Sequence, residues 1–498
     1  MKKEFLLLMR SLVPHDSTQS VMPEVSIGHP ETFTQKSLDA RLRGNNKQRH
    51  QLREKLQIFR RHSGLDPESS DFSPHWNNSS VKNSLLILFT LIGILSFSFI
   101  SEAKIYIDIT NPERRIPVAI SPLSGPLGRE IAQVVSQDLD YTGFFILLGE
   151  EGFTELPHQE FRRENWLPAG VLCVLKGTVT ITGGDLEAEA RLFDVETGAN
   201  LFGKKYKAPK NLLRALAHSI ADDVYKEITG VHGVFRTKLA FIKDAGGVKD
   251  INLADWDGER AQPVGLSEKM LLAPRWSREK GTSALVYSAE RKRRWGIYRL
   301  DLDTMKERLL FMRPGTNLAG DVNGNGDLIF SSSFGGSPDI YLLARQGDVK
   351  KVTNSGAIEV SPSFSPDGRR IVFVSDRAGS PQIYIMDSNG YNMSRLSFSG
   401  NYNTSPSWSP DGERVAFVGR YQGRNHIFAA KTDGSELFML TSKGNNEEPS
   451  FSRDGKLIVF TSDRDGYKAI YSMRANGEGQ RRISPAGVKA YGPRWSLY

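Results

Sequence analysis

From residue 239 to the end of the chain, apolar positions come in short alternating runs separated by glycine-containing turns, and the pattern recurs. Ser361-Pro-Ser-Phe-Ser-Pro-Asp-Gly368, Ser405-Pro-Ser-Trp-Ser-Pro-Asp-Gly412 and Glu448-Pro-Ser-Phe-Ser-Arg-Asp-Gly455 align without gaps. Ala273-Pro-Arg-Trp-Ser277 is an upstream relative, and Gly320-Asp-Val-Asn-Gly-Asn-Gly326 fills the interval in degenerate form. The period is about 44 residues, the length of a four-stranded blade. After each leading segment come two apolar runs. The first carries Tyr287, Phe330, Phe373, Phe417 or Phe460, the second Tyr298, Tyr341, Tyr384, Phe428 or Tyr471, and the two aromatics are 11 residues apart in all five repeats. A constant spacing predicts a constant hairpin, with Asp-Gly supplying a turn of positive φ.

The ends of the repeat region complement one another. Leu239-Ala-Phe241, Asp250-Ile-Asn-Leu253 and Gln262-Pro-Val-Gly-Leu266 read as a second, third and fourth strand with no first. Gly492-Pro-Arg-Trp-Ser-Leu-Tyr498 reads as a first strand with nothing after it. Five whole blades and one shared blade predict a six-bladed β-propeller over 235–498, closed by the C-terminal strand, so that no sheet edge is left to template aggregation.

Residues 104–234 have another texture and predict a small N-terminal α/β domain with a mixed sheet and about three helices. Ile105–Ile109 and Ile116–Ile120 read as strands, and Val171–Thr180 with Leu186–Phe193 as a hairpin across Gly183-Gly184. Ile131, Val134, Val135, Asp138 and Leu139 fall at helical spacing within Gly128–Tyr141, and a last helix runs from Leu212 to Ile228 and stops at Gly230. On that helix Arg214, His218 and Asp222 share one face. No nucleophile motif accompanies them, so they read as a polar face docking on the propeller.

Further upstream, Lys82, the uncharged run Ser84–Ile100 and Ser101-Glu-Ala103 form the three parts of a secretory signal peptide over 81–103, with cleavage after Ala103. Residues 1–80 carry 12 basic and 9 acidic side chains, nine of the basic ones within 36–61, and 63–80 are rich in Ser, Asp, Pro and Asn without apolar periodicity, which reads as a disordered or non-native extension. Because signal peptides act from the N-terminus, Val81 is expected to be the true start.

Charge adds little. The chain is formally +8, but residues 104–498 hold 52 basic and 47 acidic side chains, a mildly basic body without a nucleic-acid stripe. Cys173 is the one cysteine and sits in an apolar run. Gly-x-Ser-x-Gly, His-Glu-x-x-His, phosphate-loop and four-cysteine patterns do not occur, and after residue 103 only His158, His218, His232 and His426 remain. Asp321–Asp327 matches half of a calcium loop, but Ser332 stands where a bidentate Glu is required. No cofactor, metal or catalytic residue is expected; the competing reading is a secreted propeller hydrolase or lyase acting on glycan or peptide.

A signal peptide, a small α/β domain and Ser-Pro-x-aromatic-Ser-Pro-Asp-Gly repeats resemble the TolB family of the Tol-Pal system, over about residues 104–498. The junction Thr229-Gly-Val-His-Gly-Val-Phe-Arg-Thr237, the closing Pro493-Arg-Trp-Ser496 and Ile131–Leu139 with Thr142-Gly-Phe144 are the more specific parts. The resemblance implies a periplasmic, non-enzymatic adaptor. It receives the lipoprotein Pal at the mouth of the propeller channel and TolA through the mature N-terminus, and other outer-membrane-associated proteins are further partners. Such a role supports outer-membrane integrity and constriction at cell division, with no nucleic acid and no membrane span in the mature chain. Loops leading into the innermost strands hold Thr316, Asn317, Ala319, Glu359, Val360, Asn403, Thr404, Glu447 and Glu448. Thr316, Ala319 and Val360 fall where the family's Pal contacts align, and the rest follow by repeat phase. For TolA the candidates are Lys104, Ile105, Tyr106, Ile107, Asp108, Ile109 and Thr110.

Overall fold

The computed structural model describes residues 115–279 and 281–496. The expected signal segment, the extension before it and the TolA candidates Lys104–Thr110 lie outside them.

Residues 116–209 build a five-stranded sheet. Strands β1 (Ile116–Ile120), β2 (Phe145–Leu147), β3 (Cys173–Thr182), β4 (Asp185–Asp194) and β5 (Asn200–Pro209) are arranged in the order β2-β1-β3-β4-β5. β1 runs parallel to both neighbours, and β3, β4 and β5 form an antiparallel meander. Helices α1 (Gly128–Thr142) and α2 (Leu213–Thr229) pack against each other, α1 touching β1 and β2 and α2 touching β4 and β5. Each helix ends on a glycine in the left-handed region, Gly143 (φ 76°) and Gly230 (φ 80°), where a side chain would be strained. Trp166, Val171, Val174 and Val195 cluster against Ala119 in a second, smaller core. Cys173 is buried, which pushes its thiol up to about 12 and leaves it a small hydrophobe.

From Lys238 onward the chain forms six four-stranded antiparallel sheets among the described residues. Five are sequential: 271–311, 317–351, 359–395, 403–439 and 446–482. In the third, for example, Glu359–Phe364 is innermost, followed outward by Arg370–Ser375, Gln382–Asp387 and Ser394–Arg395. The sixth joins the ends of the repeat region: Ala490–Trp495 pairs with Lys238–Ala245, which pairs with Val248–Asp255 and then Gln262–Pro263. Every innermost strand contacts the next, and Ala490–Trp495 contacts both Asn446–Phe451 and Leu271–Trp276. The ring is therefore closed.

The 11-residue spacing is a register. Tyr287 lies opposite Tyr298, Phe330 opposite Tyr341, Phe373 opposite Tyr384, Phe417 opposite Phe428 and Phe460 opposite Tyr471. Ring centroids in the five pairs are 5.7–6.0 Å apart, within the range of favourable aromatic contacts. In the sixth blade the pair is Phe241 and Asn252. The turns repeat as faithfully. Ser365 Oγ donates to Asp367 (2.6 Å) while accepting from the Arg370 N–H (2.9 Å), and Ser452 repeats this with Asp454 and Leu457. Gly368, Gly412 and Gly455 follow with φ of 71–75°.

The α/β layer rests on the propeller through one continuous apolar cluster. Leu139, Leu216, Ile220 and Tyr225 from the helices join Phe241, Trp256, Leu457, Ile470 and Trp495 from blades five and six. Tyr141, tilted, and Phe235, edge-on, each lie with the ring centroid 5.4 Å from that of Trp256.

Candidate functional site: the channel and its two mouths

The innermost strands run from one face of the ring, where the loops leading into them gather, to the other, where the Asp-Gly turns lie. The α/β layer occupies part of the turn face. Tyr225, Phe144 and Phe235 surround the blade-five turn, and burial there pushes the Asp454 carboxyl above its usual range. By contrast Asp367 and Asp411, in the matching turns of blades three and four, are exposed. The opposite mouth is thus at the far end of the strands from the docked layer.

At that mouth the sequence candidates divide into two groups. The first residue of the innermost strand is buried in each blade where a polar one was singled out. Asn317 donates to the carbonyls of Trp295 (2.9 Å) and Arg313 (2.8 Å), and Asn403 to Gln382 Oε1 (2.9 Å) and the Ser399 carbonyl (2.9 Å). Glu359 accepts from Ser355 (2.8 Å) and pairs with Arg377. Their side chains brace the loops. Ala319, Val360 and Thr404 are also buried, while Thr316, Glu447 and Glu448 are half-buried. Glu447 pairs with Lys468 at 2.5 Å, and Glu448 accepts from Thr461 Oγ1 at 3.2 Å. Asn446, which sequence reading passed over, repeats the role of Asn403 by donating to the Lys443 carbonyl at 3.1 Å.

One further feature was passed over in the sequence. Register shifts interrupt the innermost strands at Val360/Ser363, Thr404/Ser407, Glu447/Ser450 and Tyr491/Arg494. Within these bulges Ser361, Ser405, Glu448 and Gly492 take φ of 52–67°. Such a bulge re-aims the chain. Beyond it the residue between the proline and the aromatic faces the channel, as does Asp321 between Gly320 and Val322 in the degenerate blade: Arg275, Asp321, Ser363, Ser407, Ser450 and Arg494 line a cavity of about 410 Å³. The apolar-polar-apolar alternation of Pro362, Ser363 and Phe364 is the period-two signal that could have found it.

On α2, Arg214 and His218 reach the propeller as the spacing suggested, whereas Asp222 pairs with the linker that precedes it. His218 Nδ1 lies 2.6 Å from Asp138 Oδ2 of α1, Arg214 pairs with Asp257 beside Trp256, and Asp222 meets His232 Nδ1 at 2.8 Å. Burial raises the Asp138 carboxyl to about 6, against the opposing pull of His218. Asp138, His218 and Asp257 offer atoms close enough to one another to hold a cation, but Arg214 already neutralises Asp257. The half calcium loop is a hairpin turn: Asn323 Oδ1 accepts from the N–H groups of Asn325 and Asp327, each at 3.0 Å. No described helix is long and apolar enough to cross a membrane.

Two family profiles match the chain, one described as "TolB amino-terminal domain" over residues 105–201 and one as "TolB beta propeller domain" over 225–498. Tol-Pal system protein TolB of Bordetella pertussis is 32% identical over 405 residues, covering 80% of this chain and 92% of that one. Its counterpart in Bordetella bronchiseptica is also 32% identical, covering 80% and 91%. Among solved structures, TolB from Acinetobacter baumannii is 26% identical with a TM-score of 0.68, covering 77% of this chain and 97% of that one.

Proposed function

The chain belongs to the TolB family of Tol-Pal system proteins, and from that premise we propose that it is a non-enzymatic periplasmic adaptor binding Pal at the propeller mouth and TolA through its mature N-terminus. The observation that carries the reading is the placement of the α/β layer on the turn face. The mouth at the other end, where Thr316 of blade two and Glu447 and Glu448 of blade five are half-buried, lies away from that layer and in this reading receives a protein inserted along the axis. Several blades present residues there at once, so one inserted segment meets many contacts, the arrangement that protein interfaces exploit. Asn317, Glu359 and Asn403 act in this reading by holding the loops in shape, and Ala319, Val360 and Thr404 by packing beneath them.

Both family matches begin at or after residue 105, consistent with a removable segment over 81–103 and with delivery to the periplasm. The test is capture from an outer-membrane extract on immobilised protein, followed by titration with purified Pal. Pal among the captured proteins and a saturable titration are expected; neither appearing overturns the Pal assignment. For TolA, protein trimmed through Thr110 is expected to lose binding, and retained binding removes Lys104–Thr110 from the assignment.

A further inference from the structure

The channel cavity contains more positive charge than its neighbours compensate. Arg275 and Arg494, from adjacent blades, occupy the same repeat position as Ser363, Ser407 and Ser450. Arg275 donates Nε to the Gly320 carbonyl (2.7 Å) and Nη1 to that of Pro274 (3.4 Å). Arg494 donates Nη1 to the carbonyls of Glu448, Pro449 and Pro493 at 3.1, 3.4 and 2.9 Å. A guanidinium has five N–H donors, so each keeps several for the lumen. Neither forms an ion pair among the described residues. Asp321, the one carboxylate lining the cavity among the described residues, is taken up by Arg278 (3.1 Å), Ser363 Oγ (3.1 Å) and the Phe364 N–H (3.2 Å).

Burial in the channel brings the Arg494 guanidinium down to about 9, the Arg275 charge adding to the effect, and burial lowers Arg275 as well, in both cases against the weaker pull of Glu448 and Asp321. Two like charges held by backbone carbonyls in a narrow lumen raise one another's energy, and a counter-charge between them removes that cost. Guanidinium forks match the oxygens of phosphate and carboxylate groups. We propose that the propeller channel is an oxyanion site, in which Arg275 and Arg494 together hold one small phosphate-like or carboxylate group. The cavity of about 410 Å³ has room for such a group with its water. It lies at the turn end of the channel, past the bulges, and is joined to the other mouth through the Arg494 bond to the Glu448 carbonyl.

The experiment follows the melting temperature of the purified protein against inorganic phosphate and, separately, acetate, at ionic strength held constant with sodium chloride. A saturable rise is expected in the wild type. Phosphate alone raising it assigns a tetrahedral anion, and acetate matching it assigns a carboxylate. Arg275→Ser and Arg494→Ser install the residue blades three to five already carry there, and each is expected to lose the rise. Arg494→Lys keeps the charge without the fork and is expected to weaken phosphate about tenfold by calorimetric titration. No saturable rise with either anion, or an equal rise in the folded serine variants, overturns the proposal.

Discussion

Lys238 and Ser496, 258 positions apart, exchange two hydrogen bonds: the Lys238 N–H donates to Ser496 Oγ and the Ser496 N–H to the Lys238 carbonyl, both at 2.8 Å. These bonds tie the last described residue of the chain to the first strand of the propeller. Beside them Trp495 is 3% exposed and donates Nε1–H to Thr237 Oγ1 at 2.6 Å. Trp495→Ala is expected to cost about 3–5 kcal/mol in urea unfolding, the usual range for truncating a buried large aromatic. Deleting Gly492–Tyr498 should cost more, since it also strips the inner strand from Lys238–Ala245. An unchanged midpoint for the deletion would reject closure as the source of the ring's stability.

The buried Asp138 gives the junction a pH dependence. Its carboxyl titrates at about 6 when folded, against 3.8 for the ordinary group, so the folded state binds this proton more tightly than the unfolded one. That contribution is fully present below pH 3.8 and is lost as pH rises through about 6. Asp138→Asn cannot titrate. The stability of wild type relative to this variant should therefore fall between pH 4 and 7, by roughly 3 kcal/mol for a shift of about two units. A difference independent of pH in urea titrations would contradict the assignment.

Glu447 sits at the open mouth beside Lys468. Glu447→Lys places two lysines together at the rim and is expected to weaken Pal about tenfold, chiefly by slowing association at low salt. Binding kinetics at two salt concentrations check this, and an unaltered affinity takes Glu447 off the docking surface.

Asp411 serves a turn. It accepts from Ser409 Oγ and from the Glu413 N–H (2.9 Å) in the exposed loop of blade four. Asp411→Ala should cost about 1 kcal/mol of stability, the net worth of such bonds, and leave Pal and TolA binding unchanged. A binding defect with normal stability would give this turn a role beyond architecture.

The propeller was legible because its signals are local and repeated: the spacing from Phe373 to Tyr384 is a strand register, and Asp-Gly is a turn at every recurrence. In the α/β layer β1, α1, the β3–β4 hairpin and α2 follow their apolar periodicity. β5 was missed because it is an edge strand with most positions exposed, and Lys204, Lys205 and Lys207 hide any alternation. The channel was harder for a related reason. A polar residue in a loop reads as solvated, yet Asn317 and Asn403 are roofed by loops that fold back over them, and no local pattern records that. The facing of Arg275 and Arg494 is likewise a property of the closed ring, since the two are 219 positions apart in the chain.

Where the α/β layer docks has a mechanical consequence. The joint between Ala490–Trp495 and Lys238–Ala245 is held by hydrogen bonds between distant segments with no covalent hairpin across it, which makes it the natural place for the circle to spring. Trp495, Phe241 and Trp256 from that same sector are in the cluster that receives Leu139, Ile220 and Tyr225. The docked layer thus works as a clamp over the clasp: traction on it loads the seam first, and the seam cannot part without tearing apolar surface away from both helices.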